Sequence, residues 1–137
     1  MSSFERFVDA GYWIALVNVR DEFHARARAL ASALRGPLVT TDAVLLEVGD
    51  ALARLATRRF AVTLLQEIDA AHGIEVIPLN RSLYHRAFDL YAARPDKEWG
   101  LTDCISFVVM RDRGIPEALA ADRHFVQAGF RALLREA

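Results

Sequence analysis

Short strand-like runs alternate along this chain with longer stretches of helical periodicity, and that alternation is what most restricts its fold. The strand-like runs are "RFVDA", "PLVTT", "IEVIPL", "IPEALAAD" and "FRALL". Strands separated by helices cannot be joined by tight hairpins. They form βαβ units instead, which means a parallel sheet with helices on both faces. Ligands on such sheets bind at the carboxyl ends of the strands.

The helical stretches have readable ends. "GYWIALVN" follows the first strand. Asp21 is a predicted N-cap for "EFHARARALASALRG", where Phe23, Ala27, Leu30, Ala31 and Leu34 recur at helical spacing. "TDAVLLEVGDALARLATRR" places Val44, Leu45, Val48, Leu52 and Leu55 on one face and predicts a helix through Arg59. "FAVTLLQEIDAAHG" forms the next, ending at Gly73. Asn80 caps a helix through Tyr91. "LTDCISFVVMRDRG" reads as a deeply buried helix closed by Gly114, and "RHFVQAG" as a short last one.

A chain of 137 residues suits a single domain over 1–137, and 53% hydrophobic residues can fill a core. No apolar run approaches a membrane span, and the first residues carry Glu5, Arg6 and Asp9 rather than a secretory leader. With Cys104 as the one cysteine, an internal disulfide and a multi-cysteine zinc site are excluded. The expectation is a soluble cytoplasmic protein with no membrane partner. A net charge of −1 does not advertise nucleic-acid binding, although every basic residue except Lys97 is arginine.

Four carboxylates draw attention. Asp9 ends the first predicted strand and Asp122 the fourth. Asp103 lies in the first turn of the apolar helix, and Glu47 in the helix after the second strand. Each has an ordinary reading alone: Asp9 a turn residue, Asp122 an N-cap, Asp103 a charge on a helix dipole, Glu47 a solvated side chain. Together they are expected at one edge of one sheet. Like charges gathered there repel, and a hard cation such as Mg²⁺ or Mn²⁺ resolves the conflict.

Other chemistries find little support. The chain has no glycine-rich phosphate loop and no nucleophile elbow. His24, His72, His85 and His124 show no paired metal-ligand spacing and read as structural. Cys104 reads as an inert core thiol. Arg54, Arg58 and Arg59 read as a solvated helix end, and Trp13 and Trp99 as packing or interface residues.

Three stretches carry a family resemblance. "FVDAGYWIALVNVRDEFHARA", including the Asp-x-x-His spacing of Asp21 and His24, resembles the first strand-helix unit of PIN domains. "LVTTDAVLLEVGDAL" resembles their second acidic block. "EWGLTDCISFVVMRDRGIPEALAADRHFVQAGF" resembles the third and fourth. Within that family the chain is similar to bacterial toxins of the VapC kind. The resemblance implies a three-layer α/β/α sandwich with a mostly parallel central sheet. It also implies a Mg²⁺- or Mn²⁺-dependent endoribonuclease, with Asp9, Glu47, Asp103 and Asp122 as catalytic and metal-binding residues. Thr102 and Ser106 would supply outer hydroxyls near Asp103. Such toxins act on RNA, are typically dimeric and are held inactive by an antitoxin protein. One departure is Ala10, where a hydroxyl residue commonly follows the first Asp.

Tyr12, Trp13 and the apolar helices from Leu45 to Leu65 offer more hydrophobic surface than a small sheet covers, which together with the family precedent predicts a homodimer. A different class of function is a non-catalytic PIN-like module that binds RNA or protein. Intact carboxylates favour the enzyme.

Overall fold

The computed structural model describes residues 4–136; residues 1–3 and 137, which the expected 1–137 domain includes, lie outside the described residues. Five strands form one parallel sheet: β1 (Arg6–Val8), β2 (Leu38–Thr41), β3 (Ile74–Ile77), β4 (Glu117–Leu119) and β5 (Arg131–Ala132). Their order is β3-β2-β1-β4-β5. Phe7 and Val8 therefore sit on an interior strand, as expected, with Phe7 opposite Val39 on one side and Ala118 on the other.

Helices α1 (Ala10–Val17), α2 (His24–Ala33), α3 (Asp42–Ala51) and α4 (Arg58–Ala70) connect β1, β2 and β3. Helices α5 (Arg81–Ala93) and α6 (Leu101–Arg113) carry the chain back past β1 to β4, and α7 (Arg123–Gln127) leads on to β5. Because the direction of travel reverses at β1, right-handed crossovers put the two helix groups on opposite faces. The result is the α/β/α sandwich. The reversal also opens a crevice between the carboxyl ends of β1 and β4, the position at which doubly wound sheets hold ligands.

Sequence accounts for most element ends. Asn80 accepts the Leu83 N–H at 2.8 Å and starts α5. Asn80→Ala leaves that N–H without its partner and is expected to lower stability by about 1 kcal/mol, read from a urea melt. Gly114 ends α6 in the left-handed region at φ 64°, which favours glycine. α6 is buried over Cys104–Met110, and burial pushes the Cys104 thiol up to about 11, consistent with an inert core group. Among the described residues no helix is long and apolar enough to cross a membrane.

Several expectations are corrected. The helix predicted through Arg59 stops at Ala51, because the Thr57 hydroxyl donates to the Leu52 carbonyl at 3.0 Å and turns the chain before α4. Asp21 is not the N-cap of α2; its side chain accepts the Phe23 N–H at 2.8 Å in a turn that precedes the helix. The last strand covers Arg131–Ala132 alone, since Leu133–Arg135 coil into a 3₁₀ turn. Tyr12 and Trp13, at 4% and 3% exposure, are covered by the chain's own core and leave no surface for a second subunit. Exposed apolar surface does occur on and between α3 and α4, at Leu46, Leu55, Phe60 and Val62.

Candidate active site

The crevice beyond β1 and β4 holds a cavity of about 390 Å³ lined by Asp9, Glu47, Asp103 and Asp122, together with Ala10, Gly11, Ile14 and Ala121. Each carboxylate is delivered by a local device. Asp9 follows β1 directly and is the N-cap residue of α1; its backbone N–H reaches the Leu119 carbonyl at 3.1 Å, tying it to β4. The buried Thr40 hydroxyl donates to the Val8 carbonyl at 3.0 Å and fixes the strand end just before it. Asp103 is in the first turn of α6 and accepts the Gly100 N–H at 3.0 Å. Asp122 lies beyond the end of β4 as N-cap of α7, accepting the His124 N–H at 2.9 Å. Glu47 projects from α3, after β2.

Electrostatics records the crowding. Asp9 is 9% exposed, and its carboxyl is pushed from the ordinary 3.8 up to about 7. Burial is the largest cause, followed by the charge of Glu47; Asp103 and Asp122 add to it, and the Ala10 N–H partly opposes it. Glu47 is pushed up by burial and then by Asp103 and Asp122. Asp103 is also pushed up by burial, against the lowering effect of the Gly100 N–H and His124. Burial and the neighbouring carboxylates together disfavour the anionic forms of all three groups. The set is chemically suited to a hard divalent ion, which prefers carboxylates and needs few of them.

The tightest grouping differs from the four acids expected. Among the described residues, ligand atoms of Asp103, Asp122 and His124 all lie within 4.8 Å of one another, whereas Asp9 and Glu47 share the cavity without joining that group. His124 Nδ1 is 3.0 Å from Asp103 and 3.2 Å from Asp122. Ionised carboxylates only accept, so toward them Nδ1 carries the proton and His124 bridges the two acids. Sequence reasoning passed over His124. The available signal was its place two residues after a capping Asp, which points the imidazole back toward the helix start. His24, by contrast, is structural, with Nδ1 2.6 Å from the Ala15 carbonyl.

The hydroxyls near Asp103 are partly engaged. Ser106 is buried and donates to the Thr102 carbonyl at 3.1 Å within α6. Ala10 lines the cavity and brings no hydroxyl to Asp9.

Comparisons with known proteins agree with this architecture. A family model described as the PIN domain matches residues 6–131. The 23S rRNA-specific endonuclease VapC20 of Mycobacterium tuberculosis, in strains CDC 1551/Oshkosh and H37Rv, is 32% identical over 124 residues, covering 90% of this chain and 94% of that protein. The crystal structure of M. tuberculosis VapC20, a sarcin-ricin loop cleaving toxin, is similar with a TM-score of 0.85 and 31% identity over 92% of this chain and 96% of that one. FitAcB from Neisseria gonorrhoeae shares the fold at a TM-score of 0.64 and 14% identity, over 91% and 94% of the two chains. Matched along nearly its whole length by the family model and by relatives of the same fold, this chain belongs to the PIN domain family.

Proposed function

We propose that this protein is a Mg²⁺- or Mn²⁺-dependent endoribonuclease and the toxin of a toxin-antitoxin pair. In this reading residues 1–137 form one PIN-like domain, cytoplasmic and homodimeric, inhibited by a cognate antitoxin protein. The observation that carries the proposal is the convergence of Asp9, Glu47, Asp103 and Asp122 on one cavity, with the carboxyls of Asp9, Glu47 and Asp103 pushed up by burial and mutual repulsion. Likeness to proteins named for cleaving 23S rRNA makes the sarcin-ricin loop of that RNA the substrate proposed.

A divalent cation, when bound, supplies a lowered water pKa and screening of phosphate charge. Asp9, Asp103 and Asp122 are the residues that would hold it. The Glu47 carboxylate accepts no hydrogen bond from the described residues, and its carboxyl is pushed up, which suits it to take the proton from the attacking water. The water oxygen adds to phosphorus as the bond to the leaving ribose oxygen breaks, and that oxygen takes up a proton from solvent. His124 keeps Asp103 and Asp122 in register by its two contacts. Thr102 and Ser106, one turn apart on α6, serve as outer hydroxyls; Ser106 keeps acceptor lone pairs after donating to Thr102.

The test is cleavage of a sarcin-ricin loop RNA with Mg²⁺ or Mn²⁺, with and without chelator. Cleavage that the chelator abolishes supports the proposal. Tight RNA binding with no cleavage under any of these conditions moves the assignment to a non-catalytic binding module.

For the dimer, Leu55 is 96% exposed between α3 and α4, with Leu46, Phe60 and Val62 nearby in sequence. Light scattering is expected to give the dimer mass for wild type and a shift toward monomer for Leu55→Glu. A monomeric wild type at micromolar concentration overturns the assembly.

A further inference from the structure

We propose that Trp99 is a positioning residue for the acidic site, acting through a hydrogen bond to Gln127 that holds α7, and with it Asp122 and His124, against Asp103. The inference rests on the nuclease reading above for its effect on catalysis, and on geometry alone for its effect on His124.

Asp103 and Asp122 stand at the starts of two different helices. Their relative position depends on how α6 and α7 are fixed to each other. α7 has five residues, too few to hold its own shape, so tertiary contacts must orient it. One anchor is Phe125, buried at its centre, with its ring edge-on to Phe107 of α6 at 5.0 Å and 6.4 Å from Phe7 of β1. That contact, with the His124–Asp103 bond at 3.0 Å, holds the centre and start of the helix. The second anchor is at the far end of the helix, where Gln127 Oε1 accepts the Trp99 indole N–H at 3.0 Å.

Trp99 is built to hold still. It immediately precedes Gly100, the N-cap of α6, and is 4% exposed. Its ring meets Phe107 edge-on at 5.1 Å. The Arg94 guanidinium lies 5.2 Å from its centroid and is itself gripped by both oxygens of Asp96 at 2.9 Å. Gly100, next in the chain, gives its N–H to Asp103. The same short segment therefore orients Asp103 directly and Asp122 through Gln127. A buried indole N–H needs an acceptor, and here that acceptor stands on the last residue of the helix carrying the partner acid, so the bond that satisfies Trp99 also ties down α7.

The experiment uses the full chain with Trp99→Phe, Gln127→Leu and the double variant. Trp99→Phe keeps an aromatic ring beside Phe107 and removes the donor. Gln127→Leu removes the acceptor at an exposed position, so it tests the same bond in a folded protein should the Trp99 variant fold poorly. Each single variant is expected to lower kcat on the RNA about tenfold with KM little changed, and to weaken Mn²⁺ binding by calorimetry about tenfold, the usual scale for groups that orient ligands. The double variant should be no worse than the singles, because both remove one interaction. In the metal-free protein, the His124 ring NMR signals should move in both variants. Unchanged kcat, Mn²⁺ affinity and His124 signals, with only a lower melting temperature, overturn the proposal. If wild type neither binds Mn²⁺ nor cuts RNA, the nuclease reading fails, and the His124 signals still decide whether the clamp exists.

Discussion

Asp103→Asn is expected to slow RNA cleavage about a hundredfold and to leave the fold intact. The substitution is nearly isosteric. An Asn oxygen can occupy the position of Oδ2 and continue to accept from the Gly100 N–H and from His124 Nδ1. What disappears is one negative charge and one anionic oxygen facing the cavity, replaced by an amide that donates. If the cation supplies several kcal/mol of transition-state stabilisation, weakening its hold by ~3 kcal/mol gives roughly a hundredfold in rate. The measurement compares wild type and Asp103→Asn, each with Mg²⁺ or Mn²⁺ and each with chelator. Equal rates in all four conditions would end the metal-nuclease assignment.

Asp9→Asn is expected to stabilise the metal-free protein at pH 8 while destroying activity. The native Asp9 carboxyl titrates at about 7, against 3.8 when unperturbed. Between those values the native state holds a proton that the unfolded chain has released. Stability therefore falls as pH rises through that window and is lowest above it. The difference corresponds to roughly 4 kcal/mol, on the order of 10 °C in melting temperature for a chain of this size. Asparagine never ionises, so it escapes the loss. Mg²⁺ should then raise the wild-type midpoint at pH 8 by binding the native state, and raise that of Asp9→Asn much less. A variant that melts at or below wild type in chelator at pH 8 would show that Asp9 is not under the strain described.

The sheet was legible in the sequence because its signals are local. Alternating runs set the five strands, Asn80 and Gly114 marked helix ends, and strand-end placement anticipated that Asp9, Glu47, Asp103 and Asp122 would line one cavity. The readings that failed depend on contacts periodicity does not encode. The break after Ala51 comes from a side-chain hydroxyl six residues on. Burial of Tyr12 and Trp13 depends on which elements pack over α1. His124 was missed because its partner Asp103 lies 21 residues away on another helix, and nothing in the spacing of the histidines announces a carboxylate neighbour.

Interior strand β1 has three residues, and one of its two neighbours is β4; the Arg6–Glu117 ion pair across them spans 111 positions of chain. Closing so long a loop is slow, and it cannot begin until the distant strand exists. During synthesis, the growing polypeptide presents Asp9 and Glu47 long before Asp103 and Asp122 have been added, so the acidic cluster stays incomplete until then. On the nuclease proposal, a fragment that stops before Asp122 is expected to be inactive, because its cavity lacks one of the four carboxylates. Pairing the central strand with so distant a partner makes closure of the cavity wait for β4.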